Sequence, residues 1–280
     1  GVFNLVMGSG SKVGQRIVDH PGIHAISFTG SEGTGKRIGI AAMTAGKKVQ
    51  LEMGGKNPLV VVDDADLDVA VGAAINGAFF STGQRCTASS RIVVTEGIHD
   101  RFLEKFKASA AALKVGNPLD AATQVGPVVD QKQLDGNLAY VELAKAEGCD
   151  VSGGERLGNN GFFQQPAVFA NATNAMRVSR EEIFGPAASV IKVKDFDEAL
   201  ATANDTAYGL CAGICTTSLN LATAFRKQAK VGMVMVNLPT AGVDYHVPFG
   251  GTKGSSYGPR EQGTYAREFY TTVKTAYIQP

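Results

Sequence analysis

The sequence is poor in the residues that build metal sites, disulfide frameworks and nucleic-acid surfaces. It has four histidines and four cysteines in 280 residues, and no group of them has the spacing of metal ligands. The cysteines show no disulfide framework, which predicts a reducing, cytoplasmic compartment. The formal net charge of +1 provides no basic footprint for nucleic acid. No run approaches about 18 uncharged apolar residues, so no transmembrane helix is predicted. We therefore expect no metal, no nucleic acid and no membrane as partners.

Glycine is abundant, with 34 residues, and hydrophobic residues make up 44%, which is ordinary for a globular chain. Strand-like apolar runs alternate with segments of helical periodicity, and the connections between them are short. This alternation predicts the α/β class, with a parallel sheet in a three-layer domain over residues 56–262. Residues 1–55 are predicted to belong to a second α/β domain.

Both ends of the chain have strand-like patterns. Residues 1–7, GVFNLVM, predict a short buried strand. Residues 270–278, YTTVKTAYI, alternate as a β-strand does, and a single strand cannot satisfy its own backbone hydrogen bonds. This tail is therefore expected to pair with another element or with another subunit.

A glycine-rich segment lies between a predicted strand, His24–Thr29, and a predicted helix, Lys36–Ala45. A strand, a glycine turn and a helix together present backbone N–H groups and a helix N-terminus to a phosphate. The segment, GSEGTG at residues 30–35, does not have the full dinucleotide spacing, and such turns also occur as plain connections. The pattern leaves both a phosphate site and a structural turn open.

Cys86 stands apart from the other cysteines because its neighbours are polar. Residues 79–91 read FFSTGQRCTASSR, with Arg85 directly before the cysteine. A thiol attacks as the thiolate, which nearby positive charge, helix N-termini and hydrogen-bond donors favour. From these residues alone, Cys86 is either a nucleophile or a loop cysteine without a role in catalysis.

Glu52 is an acid in an apolar run that ends at Gly54 and Gly55. A buried carboxylate has a raised pKa and can serve as a general base. The alternative is an exposed acid at the end of an edge strand. A strand, a helix and a loop fit between Glu52 and Cys86, so the two groups can meet in one cleft.

Four motifs together carry a resemblance to a known family. LEMGGKNP at 51–58 precedes the cysteine motif at 79–91, and EEIFGP at 181–186 precedes PFGGTKGSSYGPREQG at 248–263. In this order and spacing they resemble the NAD(P)-dependent aldehyde dehydrogenase superfamily, and the resemblance covers nearly all of the chain. Members of the family are much longer, which implies that Gly1 lies inside the cofactor domain.

The resemblance implies a division of the chain and an assembly. Residues 1–55 would be the C-terminal part, or remnant, of a Rossmann-like cofactor-binding domain. Residues 56–262 would be the catalytic domain, and residues 263–280 a β oligomerisation arm in a homodimer or homotetramer. The 280-residue chain by itself would lack part of the cofactor site and is expected to be inactive alone.

The resemblance also assigns roles to individual residues. Cys86 would be the nucleophile and Glu52 the general base. Glu182 would bind the nicotinamide ribose, and Phe184 would pack against the nicotinamide. NAD or NADP would further contact the glycine-rich segment and its surroundings, at Gly8, Gly30, Ser31, Thr34 and Gly35.

The reaction that the resemblance implies is oxidation of an aldehyde to a carboxylic acid. Cys86 would form a thiohemiacetal and, after hydride transfer, a thioester, which a water activated by Glu52 would hydrolyse. A CoA-acylating relative would typically not have Glu at position 52. Two other functions stay open. One is a thiol hydrolase or acyltransferase without a nucleotide, for which His246 is the only histidine near a motif. The other is a catalytically incomplete fragment that serves only in assembly.

The substrate is indicated by the segments at 237–251 and 254–263. They resemble those of α-ketoglutaric semialdehyde dehydrogenases within the family, which implies an α-keto acid semialdehyde. Arg85 is a candidate to hold a distal carboxylate, because a guanidinium pairs well with one. Whether the cofactor is NAD or NADP stays open.

Overall fold

A computed structural model describes all 280 residues, which form two compact units. The first unit contains Gly1–Gly54, Val243–Gly250 and Gly254–Pro280, and the second contains Gly55–Gly242 and Gly251–Lys253. The sequence assigned all of residues 56–262 to one domain. Most of residues 243–262 cluster with the first unit, since a strand in this segment pairs with a strand there, and the division at residues 55 and 262 stays a prediction.

Strands and helices alternate along the chain. The strands are β1 (Ala25–Thr29), β2 (Lys48–Glu52), β3 (Asn57–Val61), β4 (Ser89–Thr95), β5 (Asp150–Ser152), β6 (Arg156–Leu157), β7 (Phe163–Gln164), β8 (Ala167–Ala170), β9 (Ala187–Val193), β10 (Tyr208–Gly209), β11 (Cys211–Cys215), β12 (Met233–Val236), β13 (Thr252–Lys253) and β14 (Ser256–Tyr257). The helices are α1 (Gln15–Asp19), α2 (Glu32–Thr44), α3 (Leu67–Phe79), α4 (Glu96–Ala111), α5 (Gln131–Ala146), α6 (Arg177–Arg180), α7 (Phe196–Asn204), α8 (Leu219–Gln228) and α9 (Ala266–Tyr270). A π-helical turn, Gly10–Gly14, and two 3₁₀ helices, Phe80–Gly83 and Gly263–Tyr265, complete the regular structure.

A seven-stranded sheet organises the second unit, in the order β12-β11-β3-β4-β9-β8-β5. All neighbouring pairs are parallel except β5 with β8. The central strands are nearly continuous apolar runs because helices cover both faces of the sheet. Phe79, Phe102 and Phe106 of α3 and α4 pack on one face, and Leu200 and Phe225 of α7 and α8 pack on the other. The predicted α/β class with a parallel sheet is confirmed.

The first unit is built on a three-stranded sheet in which β2 is the central strand. β1 pairs with β2 in parallel, and β14 pairs with it in antiparallel. Ala42 of α2 packs with Val18 and Ile26 in a small apolar cluster. The last residue of β2 is Glu52, so the sheet fixes the backbone of that residue on both sides.

The helix after β1 begins earlier than the sequence predicts. α2 starts at Glu32 instead of Lys36, so most of the GSEGTG segment is helix and not turn. Glycine disfavours a helix by about 1 kcal/mol relative to alanine. A Cβ at Gly35, however, would lie 2.4 Å from Sδ of Met53. A side chain at position 35 would therefore have to displace Met53, which accounts for glycine at this point of the helix.

The two predicted terminal strands do not form in the structure. Residues 1–7 have no strand, and large apolar side chains such as Val2, Phe3 and Met7 are exposed. Helix α9 takes up residues 266–270, and residues 271–280 have no regular structure. These segments have no hydrogen-bonding strand beside them within the chain, and a strand without a partner gains nothing for its backbone groups.

Candidate active site

Helix α3 delivers the chain to Cys86. Its N-cap residue Asp66 accepts hydrogen bonds from the backbone N–H groups of Asp68 and Val69, at 2.9 and 3.0 Å. Most residues of the helix after Val69 are buried, and alanine and glycine are frequent among them. The small side chains let the helix lie close to the sheet, so its C-terminus has a fixed place in the second unit.

Three consecutive left-handed residues follow α3. Ser81, Thr82 and Gly83 have φ angles of 53°, 60° and 63°. Such angles are uncommon for residues other than glycine. At Gly83 a Cβ would lie 2.2 Å from the backbone oxygen of Gly185, so no other residue fits without displacing backbone. The chain therefore reverses tightly just before the cysteine.

Cys86 lies in a β-turn at the end of this reversal. The N–H of Ala88 donates to the carbonyl oxygen of Arg85 at 3.0 Å, which closes a turn over residues 85–88. Asn57 Nδ2 donates to the carbonyl oxygen of Cys86 at 2.7 Å. The peptide is planar and trans, so the N–H of Cys86 points opposite to the Arg85 carbonyl, away from the turn interior. The closing hydrogen bond of the turn therefore uses the Arg85 carbonyl and not this N–H.

The other three cysteines are unlike Cys86, because they are buried and Cys86 is half-buried. Burial raises the pKa of the Cys215 thiol to about 12. It also raises the pKa of Cys149, and it raises the pKa of Cys211 well above the ordinary value. A buried thiol that stays protonated is a poor nucleophile.

The two acids of the EEIFGP motif have different surroundings. Glu181 bonds Arg177 on the surface and accepts from the Tyr140 hydroxyl at 2.8 Å. The hydrogen bonds from Arg177 are the main cause of its lowered pKa. Glu182 instead accepts a hydrogen bond from the N–H of Gly55 at 2.9 Å. The two adjacent acids therefore have different partners, one on the surface and one in the segment before β3.

Glu182 and Phe184 line one small cavity of the second unit. Arg85 and Ala88, the first and last residues of the cysteine turn, also line it. Phe184 is left-handed, with φ 57°, and 38% exposed, so its ring is presented at the surface. Arg85 is held by a hydrogen bond of 2.9 Å from its Nε to Ser81 Oγ. The structure therefore brings together the motif at 79–91 and the motif at 181–186.

Glu52, in the first unit, is only 3% exposed. It is at the end of the central strand β2, so the interpretation as an exposed acid on an edge strand is wrong. Burial is the largest effect and raises the pKa of Glu52 to about 7. The hydrogen bond from Ser256 opposes the shift, Glu261 adds to it, and Arg260 opposes it. A carboxyl group with this pKa is poised for general base catalysis near neutral pH.

A separate cavity of about 570 Å³ lies within the first unit, between α1 and α2. Thr34 lines it together with Arg37, whose Nη2 donates to Thr34 Oγ1 at 3.2 Å. In the first turn of α2 the N–H groups of Thr34 and Gly35 donate to the Ser31 carbonyl, whereas those of Glu32 and Gly33 have no carbonyl partner within the helix. The remaining lining residues are Gly10, Ser11, Gly14, Gln15, Val18, Phe28, Ile38 and Ala41. A guanidinium and a helix N-terminus therefore meet at a cleft large enough for a nucleotide portion.

Of the predicted cofactor residues in the first unit, only Thr34 lines this cavity. Ser31 is the N-cap residue of α2, and its Oγ donates to Thr34 Oγ1 at 3.0 Å. Gly8, Gly30 and Gly35 do not line the cavity. A Cβ at Gly30 would lie 2.5 Å from the Phe28 ring, so close packing explains this glycine.

Sequence reasoning missed Arg37 and the cavity residues of α1. Their spacing, three or four residues apart on each of two neighbouring helices, was the available signal. In each case the sequence alone did not show which side of the helix faces the cleft.

A nucleophile activated by histidine is not built into the second unit. Its only histidine, His99, lies on α4 with Nδ1 2.7 Å from Asp100 Oδ1, and its Nε2 is buried without a partner. No group of three or more histidine, cysteine or acidic residues is arranged to hold a metal ion. None of the helices combines the length and apolar character needed to cross a bilayer.

Comparison with known proteins places these observations in a family. The model of the aldehyde dehydrogenase family matches residues 1–276. The α-ketoglutaric semialdehyde dehydrogenase of Bacillus subtilis (strain 168) is 47% identical over 285 residues, covering 100% of this chain and 58% of that protein. An NAD-dependent aldehyde dehydrogenase from Sinorhizobium meliloti superposes with a TM-score of 0.94 at 35% identity, covering 98% of this chain and 54% of the other. A betaine aldehyde dehydrogenase from Staphylococcus aureus in complex with NAD⁺ superposes with a TM-score of 0.90 at 35% identity. The match covers 94% of this chain and 53% of the other.

The chain spans a little over half the length of these relatives. The family model nevertheless covers nearly all of its residues, and the four motifs lie within that match. The chain therefore belongs to the aldehyde dehydrogenase family.

Proposed function

We propose that this chain serves in the NAD(P)-dependent oxidation of an aldehyde to a carboxylic acid, with Cys86 as the nucleophile. One observation carries the proposal. In a member of the aldehyde dehydrogenase family, Cys86 is the single cysteine that is not buried, and it sits in a turn that a glycine-dependent reversal holds in place. Residues 1–55 would serve the cofactor, residues 56–262 the chemistry and residues 263–280 the assembly.

The residues of the first unit fit a dinucleotide. The cavity beside α2 joins a helix N-terminus to the Arg37 guanidinium, and both attract a phosphate. Its apolar residues Val18 and Ile38 suit the flat face of a purine. Glu182 and Phe184 of the second unit would hold the ribose and the ring of the nicotinamide end. The betaine aldehyde dehydrogenase of Staphylococcus aureus, a structural relative, is described with NAD⁺. When bound, NAD(P) would accept the hydride that leaves the substrate carbon.

The protein's part in the first step is attack and charge stabilisation. The Cys86 thiolate forms a C–S bond with the aldehyde carbon, and the carbonyl oxygen takes up the negative charge. The N–H of Cys86, directed away from its turn, donates to that oxygen. Loss of hydride from the same carbon leaves an acyl group on Cys86 as a thioester.

The protein's part in the second step is proton removal from water. Glu52 takes one proton from a water whose oxygen bonds to the acyl carbon, and the C–S bond breaks. The acid is released and Cys86 returns as the thiolate. A carboxyl pKa of about 7 suits this role, since the group is both ionised and basic near neutrality. Glutamate at position 52 favours water over CoA as the acceptor.

An α-keto acid semialdehyde is the proposed substrate. The Bacillus subtilis relative at 47% identity is named for α-ketoglutaric semialdehyde. Arg85 directly precedes Cys86 in the chain, and its guanidinium would pair with a distal carboxylate of the substrate.

We further propose a cytoplasmic homodimer or homotetramer. The four cysteines are free thiols, which suits a reducing compartment. Assembly would cover the apolar side chains that the single chain exposes, including Val273 and Ile278 of the tail and Ile40 and Met43 of α2.

The test uses a full-length protein that contains this chain and measures NAD(P)H formation with α-ketoglutaric semialdehyde and, for comparison, betaine aldehyde, each with NAD⁺ and NADP⁺. We expect turnover that favours the carboxylate-bearing aldehyde and that Cys86→Ala abolishes. Cys149→Ala is the matched control, because it removes a thiol that has no role in the mechanism. Normal turnover by Cys86→Ala would refute the proposal. Thioester hydrolysis without any nucleotide reduction would favour the hydrolase alternative.

A further inference from the structure

We propose that Asn57 is a positioning residue that holds the nucleophile's turn in its reactive geometry. The inference rests on the proposed function, because it gives Asn57 a role toward Cys86 as the nucleophile. Asn57 is the first residue of β3 and only 2% exposed. It lies in the GGKNP part of the first motif, to which the sequence assigned no role beyond Glu52.

The Asn57 amide joins three segments of the second unit. Its Nδ2 donates to the carbonyl oxygens of Cys86, at 2.7 Å, and Ala88, at 3.0 Å. Its Oδ1 accepts a hydrogen bond from the N–H of Cys211 at 3.2 Å. A single side chain thus ties the cysteine turn to the beginning of β11 on the other side of β3.

The amide replaces backbone pairing that is interrupted at this point. The register between β3 and β4 shifts after Asn57, which is opposite Ser89, whereas Pro58 is opposite Arg91. Pro58 has no N–H to donate. The side chain of Asn57 therefore supplies the hydrogen bonds that a regular ladder would otherwise give to the carbonyls before β4.

Each of the four carbonyl oxygens of the turn accepts a hydrogen bond, and two of them accept it from Asn57. The Arg85 carbonyl accepts from the Ala88 N–H, and the Thr87 carbonyl accepts from Thr240 Oγ1 at 2.6 Å. Asn57 holds the remaining two. Because each carbonyl is directed into the protein, the turn cannot rotate about Cys86 without breaking a buried hydrogen bond.

The same short segment reaches the predicted cofactor residue of the second unit. The N–H of Gly55 donates to Glu182 Oε1 at 2.9 Å. A Cβ at Gly55 would lie 2.8 Å from both Asn57 Oδ1 and the Cys86 carbonyl oxygen, so these groups leave no room for a side chain at position 55. The short segment Gly55–Asn57 therefore makes hydrogen bonds both to the Glu182 side chain and to the Cys86 carbonyl oxygen.

The experiment compares Asn57→Asp with Gln164→Glu. Asn57→Asp keeps the shape and the acceptor for Cys211 but sets a carboxylate oxygen against two carbonyls. Gln164 is a matched control: it is fully buried, its Nε2 donates to the Gly154 carbonyl at 3.1 Å and its Oε1 accepts from Asn137 at 3.0 Å, so it makes no hydrogen bond to residues 85–88. Asn57→Ser is the second variant, because it retains one short donor if Asn57→Asp fails to fold.

Two measurements decide the question. In hydrogen–deuterium exchange, we expect peptides covering residues 84–90 to exchange faster in the Asn57 variants but not in Gln164→Glu. In single-turnover kinetics, we expect the burst of NAD(P)H formation to slow by roughly 10²-fold, as for a misplaced catalytic group, with an unchanged KM for NAD(P). A purely structural role would slow the control equally at matched thermal stability.

Unchanged exchange at residues 84–90, or an equal loss of burst rate in Gln164→Glu, would overturn the proposal. If a full-length protein that contains this chain, without any substitution, reduces no NAD(P), the proposed function fails. The exchange comparison then still decides whether Asn57 holds the turn, so the two failures are distinguishable.

Discussion

Ser256 Oγ donates a hydrogen bond of 2.6 Å to Glu52 Oε2, across the β2–β14 pair in which these two residues are opposite each other. The hydroxyl favours the ionised carboxylate, and burial disfavours it by more. Gly250 comes close on another side, where a Cβ would lie 2.7 Å from Glu52 Oε1. The pKa of about 7 is therefore a property of residues brought together from distant parts of the first unit.

In a full-length protein that contains this chain, we expect Glu52→Gln to separate the two halves of the proposed reaction. Cys86 would still attack and hydride would still leave once, so a burst of about one NAD(P)H per site should precede a steady rate lower by roughly 10²–10⁴-fold. In the unmodified protein that steady rate should rise with pH through about 7, as Glu52 ionises. Stopped-flow absorbance checks both. Loss of the burst would place Glu52 before hydride transfer, and an unchanged steady rate would show that it is not the base.

Lys56 should make the stability of the second unit depend on pH. It is 1% exposed, its Nζ has no hydrogen-bond partner, and burial is the main cause that lowers its pKa from 10.5 to about 7. Arg91 lowers that pKa further, whereas Glu182 and Glu181 raise it. Below about pH 7 both the folded and the unfolded protein carry the charge, so the cost of burying it is fully present. The cost falls as pH rises from about 7 to 10.5, because the folded protein then buries a neutral amine.

The test of this dependence is Lys56→Met, which removes the buried charge. We expect it to raise the free energy of unfolding at about pH 6, by an amount on the order of a few kcal/mol, and to gain less at about pH 9. Urea titrations at both pH values measure the difference. Lys132→Met, at an exposed position of α5, should show no such change with pH. An equal effect of Lys56→Met at both pH values would contradict the buried-charge account.

Iodoacetamide should alkylate Cys86 well before the other three cysteines. Cys149, Cys211 and Cys215 are 8%, 1% and 1% exposed, and burial raises the pKa of each. Alkylation requires an accessible thiolate. Peptide mass mapping over time gives the order, and in concentrated urea all four should react at similar rates. If a buried cysteine of the folded protein were alkylated before Cys86, the predicted difference in burial would be contradicted.

Gly83→Ala should destabilise the second unit by a few kcal/mol. The φ of 63° is unfavourable for alanine, and the new Cβ would lie 2.2 Å from the Gly185 backbone oxygen, which cannot move aside cheaply. Gly72→Ala is the control: it is an exposed position in α3 with nothing near the added Cβ. There alanine should stabilise by about 0.5–1 kcal/mol through helix propensity. Chemical unfolding compares both, and equal stabilities for the two variants would rule out the tight approach at Gly83.

The sequence by itself was sufficient for the fold class and the family. Runs such as PLVV in β3 and RIVV in β4 are apolar over consecutive residues, which is typical of parallel strands covered on both faces. The four motifs were sufficient to identify the family because each is local. All residues of a motif lie in one short segment, so the motif can be recognised without knowing its contacts in the fold. Cys86 was also identified locally, from the polar character of its neighbours.

Tertiary structure decided the properties that depend on distant partners. The pKa of Glu52 depends on its burial and on Ser256, Glu261 and Arg260, which are far from it in the chain. The predicted terminal strands do not form because a strand needs a neighbour, which no local pattern supplies. Asn57 went unnoticed for the same reason, since its carbonyl partners lie beyond an intervening helix in the chain. Local sequence fixes which groups are present, but burial and hydrogen bonding are sums over neighbours in space, and only the folded chain determines those neighbours.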